Sequence, residues 1–169
     1  MTERVFTPLG VAVVTVSDTR TQATDESGPL AVQLLSSAGH RVVDRRIVVD
    51  DRDRISATFR ELVGRAEVQV VVATGGTGVT ARDVTPEALS DVQSKEIVGF
   101  GELFRALSFE QIGASTIQSR ACAGVCSAKL VFVLPGSKGA VRLALEKIVL
   151  PQLDSRTRPC NFAELLPRL

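Results

Sequence analysis

The sequence predicts a three-layer α/β/α sandwich with a mostly parallel sheet and one antiparallel strand, and three observations predict it. Short, β-branched apolar runs at 10–17, 68–73 and 130–134 suit strands buried on both faces. Helical patterns alternate with them, the signature of a layered α/β fold. Strand ends run into glycine- or hydroxyl-rich turns that lead to helix starts.

The elements follow in order. Gly10 to Ser17 is a continuously apolar central strand. Ser27-Gly28-Pro29 starts a helix with Leu30, Leu34 and Leu35 on its apolar face, stopped by Gly39. His40 to Val49 carries Asp44, Arg45 and Arg46 and reads as a strand nearer an edge. Asp51 is placed to N-cap a helix whose apolar set is Ile55, Phe59, Leu62 and Val63. The strand at 68–73 ends in Thr74-Gly75-Gly76-Thr77-Gly78, after which Thr85 as N-cap and Pro86 at the first position predict a helix to about Gln93. Gly99 to Glu102 opens another helix with Phe104, Leu107 and Leu103 turned inward. Arg120–Cys126 and Lys129–Leu134 are expected to pair as a hairpin through Ser127-Ala128. Ser137 then caps a helix with Ala140, Ala144, Leu145, Ile148 and Val149 inward, closed near Pro151. The tail from Asp154 is expected to dock on its own domain or on a neighbouring subunit, and residues 1–9 to form a lead-in arm used in subunit contacts. The whole of 1–169 is read as a single domain.

Composition narrows the function. Net charge is +1, from 20 basic and 19 acidic residues, and aromatics are limited to seven Phe, with no Trp or Tyr. Neither a broad nucleic-acid surface nor a stacking platform for single strands is expected. An odd cysteine count (Cys122, Cys126, Cys160), no signal peptide and no apolar run near 18 residues predict a reducing, cytoplasmic setting with no membrane span. With His40 the only histidine, the cysteine spacing does not fit common zinc patterns, and core thiols are the expectation.

Ligands of such sheets bind beyond the carboxyl ends of the strands. The loops there, 17–20, 50–53, 74–83 and 135–138, hold most of the unusual polar and glycine residues. Three glycines within Gly75–Gly78 permit positive φ and close backbone approach to an anion. Arg82 supplies a fixed cation, and Asp50 and Asp83 are carboxylates suited to Mg²⁺, with Lys138 as a second cation for phosphate. From residue types alone, a solvated turn remains the alternative for the glycines, and helix capping the alternative for the 50–53 cluster. The match of Gly76–Ala81 to G-x-G-x-x-A lacks the context of a dinucleotide site, because the helix starts eight residues after Gly78. No Walker A loop or G-x-S-x-G elbow is present. What survives is a phosphate-ester or nucleotide site with carboxylates for a metal.

Against that background the chain resembles the MoaB/MogA family of molybdenum cofactor biosynthesis proteins over nearly its whole length. The resemblance is carried by Val14–Asp18, Asp25–Gly28, Thr74–Gly78, Arg82–Ala88, Gly99–Glu102 and Leu134–Gly136. The segments Gly99–Arg105, Ser119-Arg120 and Gln152–Phe162 resemble the MoaB branch in particular. The resemblance implies a MogA-like molybdopterin-binding fold that uses Mg²⁺ and ATP to adenylylate molybdopterin, releasing pyrophosphate. The other reading it leaves is a non-catalytic molybdopterin-binding scaffold. By motif, Asp50 and Asp83 become the catalytic and metal-holding pair. Substrate binding falls to Ser17, Gly75, Gly76, Thr77, Gly78, Pro135, Gly136 and Ser137, to which the residue types add Arg82 and Lys138 as phosphate cations. It further implies self-association as a trimer or hexamer and contact with other proteins of the pathway.

Overall fold

The computed structural model describes residues 4–169, so the first three residues of the expected lead-in lie outside it. Six strands form one sheet in the order β2-β1-β3-β6-β5-β4, with β1 at Gly10–Val16, β2 at Arg41–Val48, β3 at Val70–Thr74, β4 at Lys95–Glu96, β5 at Cys122–Cys126 and β6 at Lys129–Leu134. The first four in that order run parallel, and β5 runs against both β6 and β4. The predicted layered sheet with one reversed strand is what forms.

Strand periodicity divides the core in two. Val11, Val13, Val70, Val72, Leu130 and Phe132 face one side, and there they meet α1 (Ser27–Ser37), α4 (Val98–Ile112) and α5 (Lys138–Ala144). Ala12, Val14, Val71, Ala73, Val131 and Val133 face the other side and meet α2 (Arg52–Val63) and α3 (Thr85–Ser90). Burial on both faces explains why β1, β3 and β6 read as unbroken apolar runs. The edge strand β2 is only half-buried, as its charges predict.

Several expectations are corrected. The strand expected at 68–73 begins at Val70, and the one expected at 120–126 begins at Cys122. The two-residue β4 was not expected, and it exists through pairing with Val125 and Gly124. Thr85 lies inside α3, with Val84 at the cap position, because its hydroxyl donates instead to the Gly75 carbonyl at 2.9 Å. That helix also stops at Ser90, short of Gln93. Leu103 is exposed while Phe104 is buried. The last long helix contains a π turn at Leu145–Val149, where the Leu150 amide donates to Leu145, before α6 (Leu150–Leu153) carries Pro151 in its first turn.

Of the thiols, Cys126 is buried and Cys122 half-buried, and burial pushes them up to about 11 and about 12 respectively. Cys160 is exposed, against the expectation of a core thiol. The tail docks on its own chain: in α7 (Phe162–Leu165) the Phe162 ring meets Phe132 edge-on at 6.2 Å. Arg4 pairs with Glu164 at 2.9 Å, so the described lead-in lies on that tail as well. Among the described residues, no helix is long and apolar enough to cross a membrane.

Candidate functional site

The carboxyl ends of β1, β3 and β6 open into a cavity of about 300 Å³. Its wall includes Ser17 after β1, Thr74 and Gly75 at the end of β3, and Gly136, Ser137 and Lys138 after β6. Arg20, Asp25, Glu26 and Ser27 complete it from the loop that enters α1. Two glycine turns, distant in sequence, are knitted together here. The Gly75 amide donates to Leu134 O at 2.9 Å, and the Thr74 hydroxyl donates to Pro135 O at 2.9 Å. Gly75 has φ +107, and a side chain on it would strike the Val16 carbonyl, so only glycine closes this turn. Ser137 caps α5 as expected, accepting from the Ala140 amide at 3.2 Å. Lys138 Nζ reaches Glu26 Oε1 at 3.1 Å in an exposed pair of little net strength.

The other predicted residues lie beyond Gly75. Gly76 (φ +64) turns the chain out of the cavity and against Asp50. Asp51 accepts from the Arg54 amide at 2.9 Å as the cap of α2, which leaves Asp50 as the carboxylate facing the glycine turn. Burial, together with the nearby charges of Asp18 and Asp83, raises the Asp50 carboxyl above the usual range. Thr77 is buried, and its carbonyl accepts from the Arg120 amide at 2.9 Å.

Asp83 folds back over its own loop, accepting from the Thr80 amide at 2.9 Å and the Thr80 hydroxyl at 2.6 Å. Burial works to raise its carboxyl, but these bonds and the Gly78 amide outweigh it and hold Asp83 low. Arg82 does not enter the cavity. Its guanidinium grips Asp18 Oδ2 at 2.6 and 3.0 Å on the exposed rim, and this pairing holds the Asp18 carboxyl low. Asp18 also accepts from the Asp50 amide at 3.0 Å. The structure therefore gathers the predicted residues into two neighbouring halves: a polar cavity, and an acidic turn joined to it through Gly75-Gly76.

Residues 12–155 match the model of a family described as a probable molybdopterin binding domain. The chain belongs to that molybdenum cofactor biosynthesis family. Its MoaB branch is where the similarity is high. The chain is 50% identical over 157 residues to molybdenum cofactor biosynthesis protein B of Escherichia coli (strain K12), covering 93% of this chain and 92% of that protein. Against the same-named protein of Bacillus anthracis it is 53% identical over 146 residues, with 86% of each chain covered. A crystal structure of molybdenum cofactor biosynthesis protein B superposes with a TM-score of 0.85 at 49% identity, covering 87% of this chain and 92% of the other. The tungsten cofactor synthesizing protein MoaB of Pyrococcus furiosus gives 0.75 at 39%, covering 84% and 91%.

For this MoaB-type chain, the matched span contains all four loops at the strand ends. Residues outside the predicted set also shape the site. Arg120 donates to Gly78 O and Asp83 O, each at 2.7 Å, and pairs with Glu87, clamping the loop from the side of β5. Asp18, Arg20 and Asp25 sit in or beside the cavity and the acidic turn. Asp18 and Arg20 stand at a strand end and were legible as polar loop residues. Arg120 stood out only within the Ser119-Arg120 segment of the resemblance, and its clamping role had no signal because its partners lie more than thirty residues away in sequence.

Proposed function

We propose that the cavity binds molybdopterin and that the protein transfers AMP from ATP onto its terminal phosphate. The supporting observation is how closely Asp50 packs on Gly76, where a Cβ would lie 2.9 Å from its Oδ1: a carboxylate near Asp18 and Asp83 stands one residue from a cavity wall that carries hydroxyls together with Arg20 and Lys138. At about 300 Å³ the cavity is at the small end of ordinary ligand sites. Ser17, Gly75, Gly136, Ser137 and Lys138 line the pterin-phosphate cradle, with Pro135 fixing its second turn through Thr74. Gly76, Thr77 and Gly78 carry the backbone from the cradle to the acid pair, where Arg82 absorbs phosphate charge.

The donor set fits magnesium. Asp50 and Asp83 offer hard oxygens, and a divalent cation would offset the burial and the nearby charges of Asp18 and Asp83 that together raise Asp50. Bound there beside nucleotide phosphates, it would supply charge neutralisation for the departing pyrophosphate. In the transfer, an oxygen of the molybdopterin phosphate forms a bond to the α-phosphorus of ATP. The bond from that phosphorus to the bridging oxygen breaks, and pyrophosphate leaves with the electron pair. No protein nucleophile is required, so orientation and charge neutralisation by the chain's own residues suffice.

A second reading, molybdopterin binding without transfer, is favoured by one specific feature. Asp83 and Arg82 are both engaged by the protein itself, through Thr80 and Asp18. Asp50→Ala and Asp83→Ala separate the two readings. Under adenylyl transfer, turnover collapses while molybdopterin affinity persists; under binding alone, the wild type makes no AMP-molybdopterin and neither substitution changes what it holds. We further propose a cytoplasmic trimer or hexamer that hands its product to other proteins of the pathway. Val98, Phe109 and Ile112 on α4 and Ile117 just beyond it are exposed apolar side chains suited to subunit contact.

A further inference from the structure

The cavity holds a carboxylate that no step above uses. The Asp25 side chain is 2% exposed, yet four donors from three elements converge on it. Thr15 Oγ1 of β1 donates at 2.7 Å, the Ser27 and Gly28 amides of α1 at 3.1 Å each, and Arg45 Nη2 of β2 at 3.0 Å. Burial works to raise this carboxyl, and the Gly28 amide, the Thr15 hydroxyl and Arg45 outweigh it and hold it low. The packing leaves no slack, since a side chain on Gly28 would collide with both Asp25 and Thr15. Arg45 depends on the same anion, because its Nε is buried without a hydrogen-bond partner.

Ser27 connects this cluster to the cradle. Its amide is held by Asp25, and its hydroxyl donates to the Gly136 carbonyl at 2.6 Å. Gly136 in turn packs on Gly75, where a side-chain carbon would lie 3.4 Å from the Gly75 Cα. A continuous path of contacts therefore runs from Asp25 through Ser27 and Gly136 to Gly75.

We infer that Asp25 is a positioning residue: by holding Ser27 against Gly136, it fixes the spacing of the two glycine turns that grip the phosphate-bearing substrate. The inference rests on the cavity being the molybdopterin site. A misplacement of about 1 Å in a well-fitted catalytic geometry can cost about 10²-fold in rate, and a binding wall that loses its fixed spacing loses affinity in the same direction.

The test uses the full chain and two readouts. Equilibrium dialysis gives molybdopterin affinity, and hydrogen exchange gives the protection of the Gly75 and Val141 amides, which donate to Leu134 O and Ser137 O at the two turns. Asp25→Asn is expected to weaken affinity about tenfold and Ser27→Ala about threefold, while Thr15→Ser, which keeps the hydroxyl, stays within about twofold of wild type. Both weakening variants accelerate exchange at the Gly75 and Val141 amides and leave the strands β1, β3 and β6 as protected as before. Wild-type affinity in Asp25→Asn overturns the inference. So does an affinity loss accompanied by faster exchange throughout the sheet, which marks a general folding role. Should Asp25→Asn fail to fold, Ser27→Ala decides alone, and wild-type behaviour in both readouts overturns it. A wild-type protein that does not bind molybdopterin overturns the reading of the cavity itself, and the inference with it.

Discussion

A methyl group on Gly76 would meet Asp50 Oδ1 at 2.9 Å, and Thr85 Oγ1 on its other side. The glycine is demanded twice, by φ +64 and by the carboxylate packed against it. Gly76→Ala is therefore expected to lose about 1–3 kcal/mol of stability in urea unfolding, from left-handed strain and contact together. Because the turn also fixes Asp50 relative to the cavity, turnover falls further than stability does.

Asp50 illustrates a conflict between stability and function. Its carboxyl is raised by burial and by Asp18 and Asp83, so the ionised form is disfavoured in the folded protein. A raised folded-state value means that Asp50 costs stability as pH rises through it. Asp50→Asn should thus raise Tm in magnesium-free buffer at neutral pH, by on the order of 1–3 °C. The same substitution is expected to cut adenylyl transfer by about 10²-fold or more. Calorimetry and product assay on one preparation check both halves.

Arg120 holds the outer loop through Gly78, Asp83 and Glu87 at once. Lysine cannot reproduce that fork. Arg120→Lys is expected to cost about 1–3 kcal/mol and to lower turnover with little change in molybdopterin affinity, since the loop it holds carries Asp83 and not the cavity wall. A urea curve together with dialysis measures the split.

What was legible beforehand follows the range of each cause. Val70–Ala73 and Leu130–Leu134 announced themselves because burial on both faces leaves only β-branched and aliphatic residues acceptable. Asp51 announced itself because a cap acts within three residues. Lys95-Glu96 did not, since two exposed residues carry no pattern of their own and are made a strand by β5. Thr85 was misread as a cap for a similar reason: its hydroxyl is claimed by Gly75, ten residues back. In the site, the glycine turns and Asp50 were visible as motifs. Asp25 and Arg120 lay in motif segments too, but the four-donor cage of the one and the clamp of the other were not visible, because both are assembled by strands and helices far apart in the chain.

Acid should weaken the fold through Asp25 and Asp83. Both carboxyls are held low, so their contribution is fully present above an unfolded-state pKa of about 3.9 and is lost as pH falls through the folded-state values. Wild-type stability is expected to fall as pH drops below about 4, and Asp25→Asn to fall less steeply over the same interval. Urea midpoints across that range provide the comparison.

Whether the protein transfers AMP is read by incubating it, purified, with molybdopterin, ATP and magnesium and measuring pyrophosphate release alongside AMP-molybdopterin. Adenylyl transfer predicts stoichiometric formation of both products, dependent on each of the three components and abolished in Asp50→Ala. Molybdopterin bound with no pyrophosphate above the enzyme-free blank would contradict it.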